Sequence, residues 1–577
     1  MRTTPPALAL GRRLSMSLAA AFLCCCTTCT RDAAPAVSQT TTSSSSSGER
    51  GESPRGTART APASSGPSSL GTNLSGVIDW SKEEPFVNVF KMARPFVSGG
   101  PNAWADEREL PRDEHGWIQR MASDQVAHTL IYTDNAHFRP GRYVVRFEGS
   151  GEIHYAGAAR RVSAREGEHV LELRAPMGPE DLGIGMDFVS VDPADPIRNL
   201  RVLPPGGACA EDRARFCDAQ TPCPEDAGEC LAFQEHEDEL RFHPDFLARI
   251  QRYGMLRFMD WMGTNGSEVR EWADRPQVED ATWSRKGVPL EVMIQLTNEL
   301  EVQPWFCIPH LASDEYVRRF AEQVRDGVDP ERKVWIEYSN EIWNAIFPQG
   351  TWAEAQGEAA GLGEGFQARL RYQAQRSSEI FAIFEEVLGA ERLVRVLGSQ
   401  ANNTWATEQL LEHDGLGERV DAIAIAPYFG AVAGPDEADA IAQMSVEELI
   451  AKTREEYLPE SLSWVSDHAA LAERHGLELV AYEAGQHFVG VEGAQENARM
   501  NALFDAINRH EGMGELYAAY LEGWVERGGG WLNHFVNCDG WSKHGRWGAL
   551  EWQRQPREAS PKFDALMTFI ERHPNGW

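Results

Sequence analysis

The sequence predicts an α/β fold: a (β/α)8 TIM barrel with an all-β sandwich inserted between its first and second strands. Three observations predict it. From residue 236 onward, short apolar runs alternate with helix-period segments, the signature of βα units. Seven such runs fall there, and an eighth at 70–76 completes the count a barrel needs. Residues 117–205 instead alternate at period two, with Gly, Asp and Pro turns and no helical spacing, as a small antiparallel sandwich would.

Residues 1–30 read as an export signal of bacterial type. Arg12 and Arg13 precede an apolar run at 14–23 that is too short to span a bilayer. Cys24, Cys25, Cys26 and Cys29 follow, and Leu23 stands three residues before Cys26. The expectation is a lipoprotein-like signal and a lipid anchor to a membrane through an N-terminal Cys. Free secretion is the alternative, and the lipidated Cys stays open. The Arg pair also resembles a twin-arginine signal. Residues 31–69 are rich in Ser, Thr and Pro and hold nothing that could build a core, so they read as a disordered tether.

The barrel begins in 70–116, with a strand at 70–76 and a packing segment at 85–97. The sandwich at 117–205 carries strand patterns near 143–149, 152–156, 168–174 and 184–191. It would form a cap or cleft wall, with carbohydrate binding as the alternative. Residues 206–235 hold Cys209, Cys217, Cys223 and Cys230. In an exported chain these imply two disulfides in one of three connectivities, with a zinc site as the alternative. Cys307 and Cys538 read as buried free thiols. Residues 236–577 form the rest of the barrel, with strands expected at 255–261, 302–310, 333–341, 393–400, 420–428, 478–483 and 530–537. These runs are apolar on both faces, as a helix-covered parallel sheet requires.

The 577 residues carry 55 Lys and Arg against 87 Asp and Glu, a net charge of 55 − 87 = −32. That argues against nucleic acid and anionic surfaces as partners and fits solubility; a monomer is expected. The 18 Trp suit a cleft that stacks pyranose faces, although many will be core. Trp261, Trp305, Trp343, Trp531, Trp541 and Trp547 are the candidates for sugar subsites.

Barrel chemistry gathers at the C-terminal ends of the strands. Here those ends carry Asn73; Arg257 with Asp260 and Trp261; His310; Asn340 and Glu341; Gln400 with Asn402 and Asn403; Tyr428; Glu483 with Gln486 and His487; and Asn537 followed by Trp541. A single strand-end His or Asn is ordinarily a satisfied structural residue. All eight ends carrying such groups points to a cleft. Two strand-end glutamates on separate strands, Glu341 and Glu483, supply what a retaining glycosidase needs: one carboxyl to protonate the leaving oxygen and one carboxylate to attack the anomeric carbon.

Ser339-Asn340-Glu341 closing the fourth strand and Glu483 closing the seventh resemble the (β/α)8 glycoside hydrolase clan of cellulases, mannanases, xylanases and β-glycosidases. The layout matches over 70–100 and 236–577, most closely around the two Glu motifs. The resemblance implies that Glu341 is the acid/base, Glu483 the nucleophile and Asn340 a ligand of the sugar 2-hydroxyl. It implies that Arg257 and Tyr428 hold the nucleophile and that Trp541 forms an aromatic floor. His310, Trp343, Gln400 and His487 are further substrate-binding candidates. The substrate would be a polysaccharide or oligosaccharide with β-linkages, with no cofactor and no metal. An exported, non-catalytic carbohydrate-binding barrel is the alternative. A metal-dependent hydrolase would need His/Asp clusters such as HxH on the first strand, and that strand offers only Asn73. The sugar, its linkage and endo versus exo action stay open.

Overall fold

The structure is a computed structural model that describes residues 68–175 and 183–577. The signal and nearly all of the tether expected at 1–69 lie outside the described residues.

Eight parallel strands close into a barrel in strict chain order. They are β1 (Leu70–Asn73), β2 (Met255–Arg257), β3 (Gln303–Ile308), β4 (Val334–Tyr338), β5 (Leu393–Gly398), β6 (Ala422–Ile425), β7 (Glu478–Ala481) and β8 (Leu532–His534). Closure is made by β1 pairing with both β2 and β8. Every strand is shorter than its apolar run suggests. Asp260, Trp261, His310, Glu341, Tyr428 and Glu483 therefore stand in loops just past the strand ends rather than on the strands.

The helices follow elementary patterning. Asp314–Gly327 starts at Ser313, whose hydroxyl accepts from the Tyr316 amide. Acids occupy its first turn and Arg325 its last, complementing the helix dipole. It buries Tyr316, Val317, Phe320, Ala321 and Val324, a three-to-four-residue stripe laid on the barrel. Burying Phe320 alone is worth about 2–3 kcal/mol. Helices Pro348–Ala359, Pro435–Ile441 and Pro561–Arg572 have no counterpart in the sequence reading. Each opens on Pro, which reads as a break yet suits a first helical turn.

The insertion between β1 and β2 is a sandwich of two four-stranded antiparallel sheets. Val97–Gly99 is an edge strand of one of them, so the sandwich begins near residue 97, not 117. Three residues are too few for an alternating pattern to show. Its core includes Tyr143, Val145, Ile153, Leu171, Met186 and Phe188. Ahead of the sandwich in the chain, Phe86 packs into the barrel core on Phe242, Trp261 and Trp283. In the cysteine loop the pairs are Cys209–Cys223 and Cys217–Cys230. All four sulfurs are used in disulfides, which removes the zinc alternative. Cys307 and Cys538 are buried free thiols.

Candidate active site

The centre of the barrel mouth is built on Arg257, the last residue of β2 and fully buried. A buried guanidinium must be paired on every side. Nη1 donates to Asn73 Oδ1 at 3.1 Å and to Glu483 Oε1 at 3.0 Å. Nη2 donates to Asn340 Oδ1 at 2.8 Å and to Glu337 Oε2 at 2.9 Å, and Nε reaches Glu337 Oε2 at 3.1 Å. One side chain thus ties β1, β2, β4 and the loops after β4 and β7 into a single polar core.

Glu483 is fully buried. Its second oxygen accepts from the Tyr428 hydroxyl at 2.9 Å. Burial raises its proton affinity, and the Arg257 charge and the Tyr428 hydrogen bond offset that rise only in part. Glu341 is only partly buried. Its Oε1 accepts from Tyr482 OH at 3.0 Å and its Oε2 from Asn344 Nδ2 at 2.9 Å. Burial first, and then the Glu483 charge, push its pKa up to about 7. The two acids therefore differ in kind: Glu483 is held by a cation and a phenol, Glu341 by two neutral donors. The loop that presents Glu341 is unusual, since Ser339 (φ 59°) and Glu341 (φ 43°) are both left-handed. Non-glycine residues adopt that region at a cost of order 1 kcal/mol or more each.

Asn340 is fully buried with both ends of its amide occupied: Arg257 on the oxygen, and Asn265 Oδ1, at 3.0 Å, on the nitrogen. Gln349, from the unforeseen helix Pro348–Ala359, donates to that same Asn265 oxygen at 2.6 Å and to the Asn340 carbonyl at 2.9 Å. His487 lies against Tyr428 (ring centroids 5.3 Å) and against Trp547 (5.5 Å). Burial lowers the His487 pKa to about 4, so its ring is neutral at pH 7. Asp260, beyond β2, is raised to about 7 by burial and the Glu483 charge.

Other expected residues sit elsewhere or act differently. The Trp541 indole lies against Arg509 and Lys562, of helices Ala498–Arg509 and Pro561–Arg572; the aromatic ring beside His487 is Trp547. Gln400 accepts from Asn403, the N-cap of helix Thr404–Glu412, and so braces a loop. The His310 ring packs on Trp352, and burial followed by the Arg270 charge lowers its pKa to about 4. Trp343 is buried and its carbonyl accepts from Arg369. Trp261 and Trp305 are fully buried core. Trp80, Trp104 and Trp405 are the exposed tryptophans instead. Glu337, Tyr482 and Asn265 went unnoticed in sequence. Tyr482 carried a signal in its place beside Glu483; Glu337 was hidden inside an apolar run.

No family model matches the chain, and no curated protein matches it by sequence. Solved structures similar to it include a galactanase, a xylanase and a β-glucosidase. A fungal β-1,4-galactanase is 10% identical over 56% of this chain and 91% of its own, with a TM-score of 0.32. Xylanase B from Clostridium stercorarium is 11% identical over 56% and 91%, TM-score 0.31. The β-glucosidase from Thermotoga maritima is 13% identical over 60% and 87%, TM-score 0.33. Likeness at this level says nothing of substrate, and the closed barrel stands on its own strand pairing.

Proposed function

We propose that this protein is a retaining glycoside hydrolase acting on β-glycosidic bonds of a polysaccharide or oligosaccharide, with Glu341 as acid/base and Glu483 as nucleophile. The observation that carries the reading is the unequal setting of the two glutamates at the ends of β4 and β7. Glu483 has one oxygen on Arg257 and the other on Tyr428, which orients it and favours its ionised form. Glu341 has no direct cation and keeps a proton near neutrality.

The chemistry follows from that inequality. Protonated Glu341 gives its proton to the glycosidic oxygen as the bond to the anomeric carbon breaks, and Glu483 attacks that carbon from the opposite face. Once Glu483 is esterified its negative charge is gone. One of the causes that raised Glu341 disappears with it, so Glu341 becomes a carboxylate able to take a proton from water. Water then attacks the anomeric carbon, Glu483 leaves, and the anomeric configuration is retained. The phenols of Tyr428 and Tyr482 are held far above their ordinary range by burial and the neighbouring carboxylates, so they act as neutral donors.

The test is the stereochemistry of wild-type turnover. Proton NMR of the first product formed from an aryl β-glycoside should show the β-anomer before mutarotation. A first-formed α-anomer would rule out double displacement. Absence of turnover across cellulose, mannan, xylan, β-1,3-glucan and aryl glycosides, with binding retained, would favour the non-catalytic carbohydrate-binding alternative.

A further inference from the structure

Glu337 is a buried acid that the mechanism above does not use. It lies on β4, where the register sets it between Cys307 of β3 and Val396 of β5. Its Oε2 accepts from Arg257 at 2.9 and 3.1 Å and from Trp305 Nε1 at 2.9 Å, and lies 3.5 Å from Cys307 Sγ. The barrel leaves room for it: a Cβ on Gly398 would come within 2.9 Å of Glu337 Oε1. The same guanidinium reaches Glu483, so one buried cation is shared by two buried carboxylates.

Counting charges shows what this sharing does. Among the described residues, Arg257 is the one cation in contact with Glu337, Glu483 or Glu341. The other groups facing them are Asn73 from β1; Asp260 beyond β2; Trp305 and Cys307 from β3; Asn340 and Asn344 after β4; Tyr428 after β6; and Tyr482 after β7. None of these brings a positive charge. Three ionised glutamates would leave a net charge of about −2 in a water-poor site, so the group retains a proton. Asp260, which also has no guanidinium contact, is likewise raised to about 7; among the three glutamates the proton falls to Glu341, the one without such a contact.

The geometry points to Glu337 as a positioning residue that keeps a proton on the catalytic pair: by sharing Arg257 with Glu483, it leaves no surplus positive charge to ionise Glu341. This rests on the acid/base and nucleophile reading above. It also assigns Glu337 a role distinct from packing, because the effect runs through its charge.

The test is the pH dependence of kcat/KM for aryl β-glycoside hydrolysis in Glu337→Gln and Glu337→Asp. The Gln amide oxygen can still accept from Arg257 and Trp305, but the negative charge is gone. Glu341 should then ionise more readily and the basic limb should move to lower pH by roughly one unit, with activity recovered in more acidic buffer. Glu337→Asp keeps the charge and should leave the limb at its wild-type position. A Gln variant that loses activity equally at every pH, with its limb unmoved, would overturn the proposal. So would an Asp variant whose limb moves as the Gln variant's does. Should only the Asp variant fold, its unmoved limb is the expected result and a shifted limb the contrary one. Failure of the underlying reading would show separately, as wild-type turnover in Glu341→Gln and Glu483→Gln.

Discussion

Glu341 titrates where its neighbours put it, and its neighbours can be changed one at a time. Its pKa is raised to about 7 by burial and by the Glu483 charge. The acid form is the active one for the first step, so kcat/KM should fall as pH rises through about 7. Tyr482 donates to Glu341 Oε1 and thereby favours the carboxylate. Tyr482→Phe removes that donor, so the basic limb should move to higher pH by roughly half a unit, with Tm little changed. A limb that moved to lower pH would mean that Tyr482 acts on some other group. Glu341 and Glu483 were legible in the sequence because each ends an apolar run with an acid. Glu337 was not, because an acid within such a run looks like an outward-facing residue until strand pairing puts Arg257 beside it. Trp547 stood among the candidate tryptophans, but Trp541 was preferred to it as the aromatic floor for a similar reason. Position after β8 is visible in sequence, but which indole turns toward His487 is not.

At the scale of elements, the alternation of strands and helices gave the barrel its order, while boundaries and local crosslinks came from tertiary structure. Apolar runs overstate strand length because the residues just past a strand end are buried too. Tyr482 and Ala484, on either side of Glu483, are such cases. The disulfides show a similar limit: four cysteines announce two bonds but not their pairing. Here the pairs interlock across the small sheet of Gly207–Cys209, Asp212–Cys217 and Cys230–Ala232. A bond closing a loop of this length is worth about 3 kcal/mol. Changing Cys217 and Cys230 together to Ser should open residues 206–235 to limited proteolysis. It should leave kcat on an aryl glycoside unaltered, because the loop contributes none of the groups around Arg257. A parallel loss of kcat would tie the loop to the cleft.

The whole molecule carries a cost that grows with pH. Burial raises Glu83 to about 8 and is the first cause raising Asp539 to about 6. Both groups bind protons more tightly folded than unfolded, so stability is greatest below their ordinary carboxyl range. It should decline between about pH 4 and pH 8 as the folded values are passed. His487 and His310, buried and neutral, act in the opposite sense below about pH 6.5, so the acid is isolated by a difference: relative to wild type, Glu83→Gln should gain Tm as pH rises from 5.5 to 8.5. A difference in Tm that stayed constant or shrank as pH rose would contradict the buried-acid account. The exposed tryptophans bear on reach across the mouth. Trp80 (42% exposed) follows β1 and Trp405 (46%) follows β5, strands on opposite sides of the barrel. If a long chain crosses the mouth, Trp80→Ala should raise KM several-fold for a polysaccharide and leave an aryl monoglycoside unaffected. Equal effects on both would confine binding to one end.

The central claim, that Glu483 forms a covalent glycosyl intermediate which Glu341 helps to make and break, is tested most directly by removing the nucleophile. Glu483→Ala should abolish hydrolysis of an activated aryl β-glycoside, and added azide should restore turnover by occupying the vacated space and attacking the anomeric carbon. The predicted product is the α-glycosyl azide, identified by NMR. Wild-type hydrolysis by Glu483→Ala, or azide-dependent formation of the β-glycosyl azide, would contradict it.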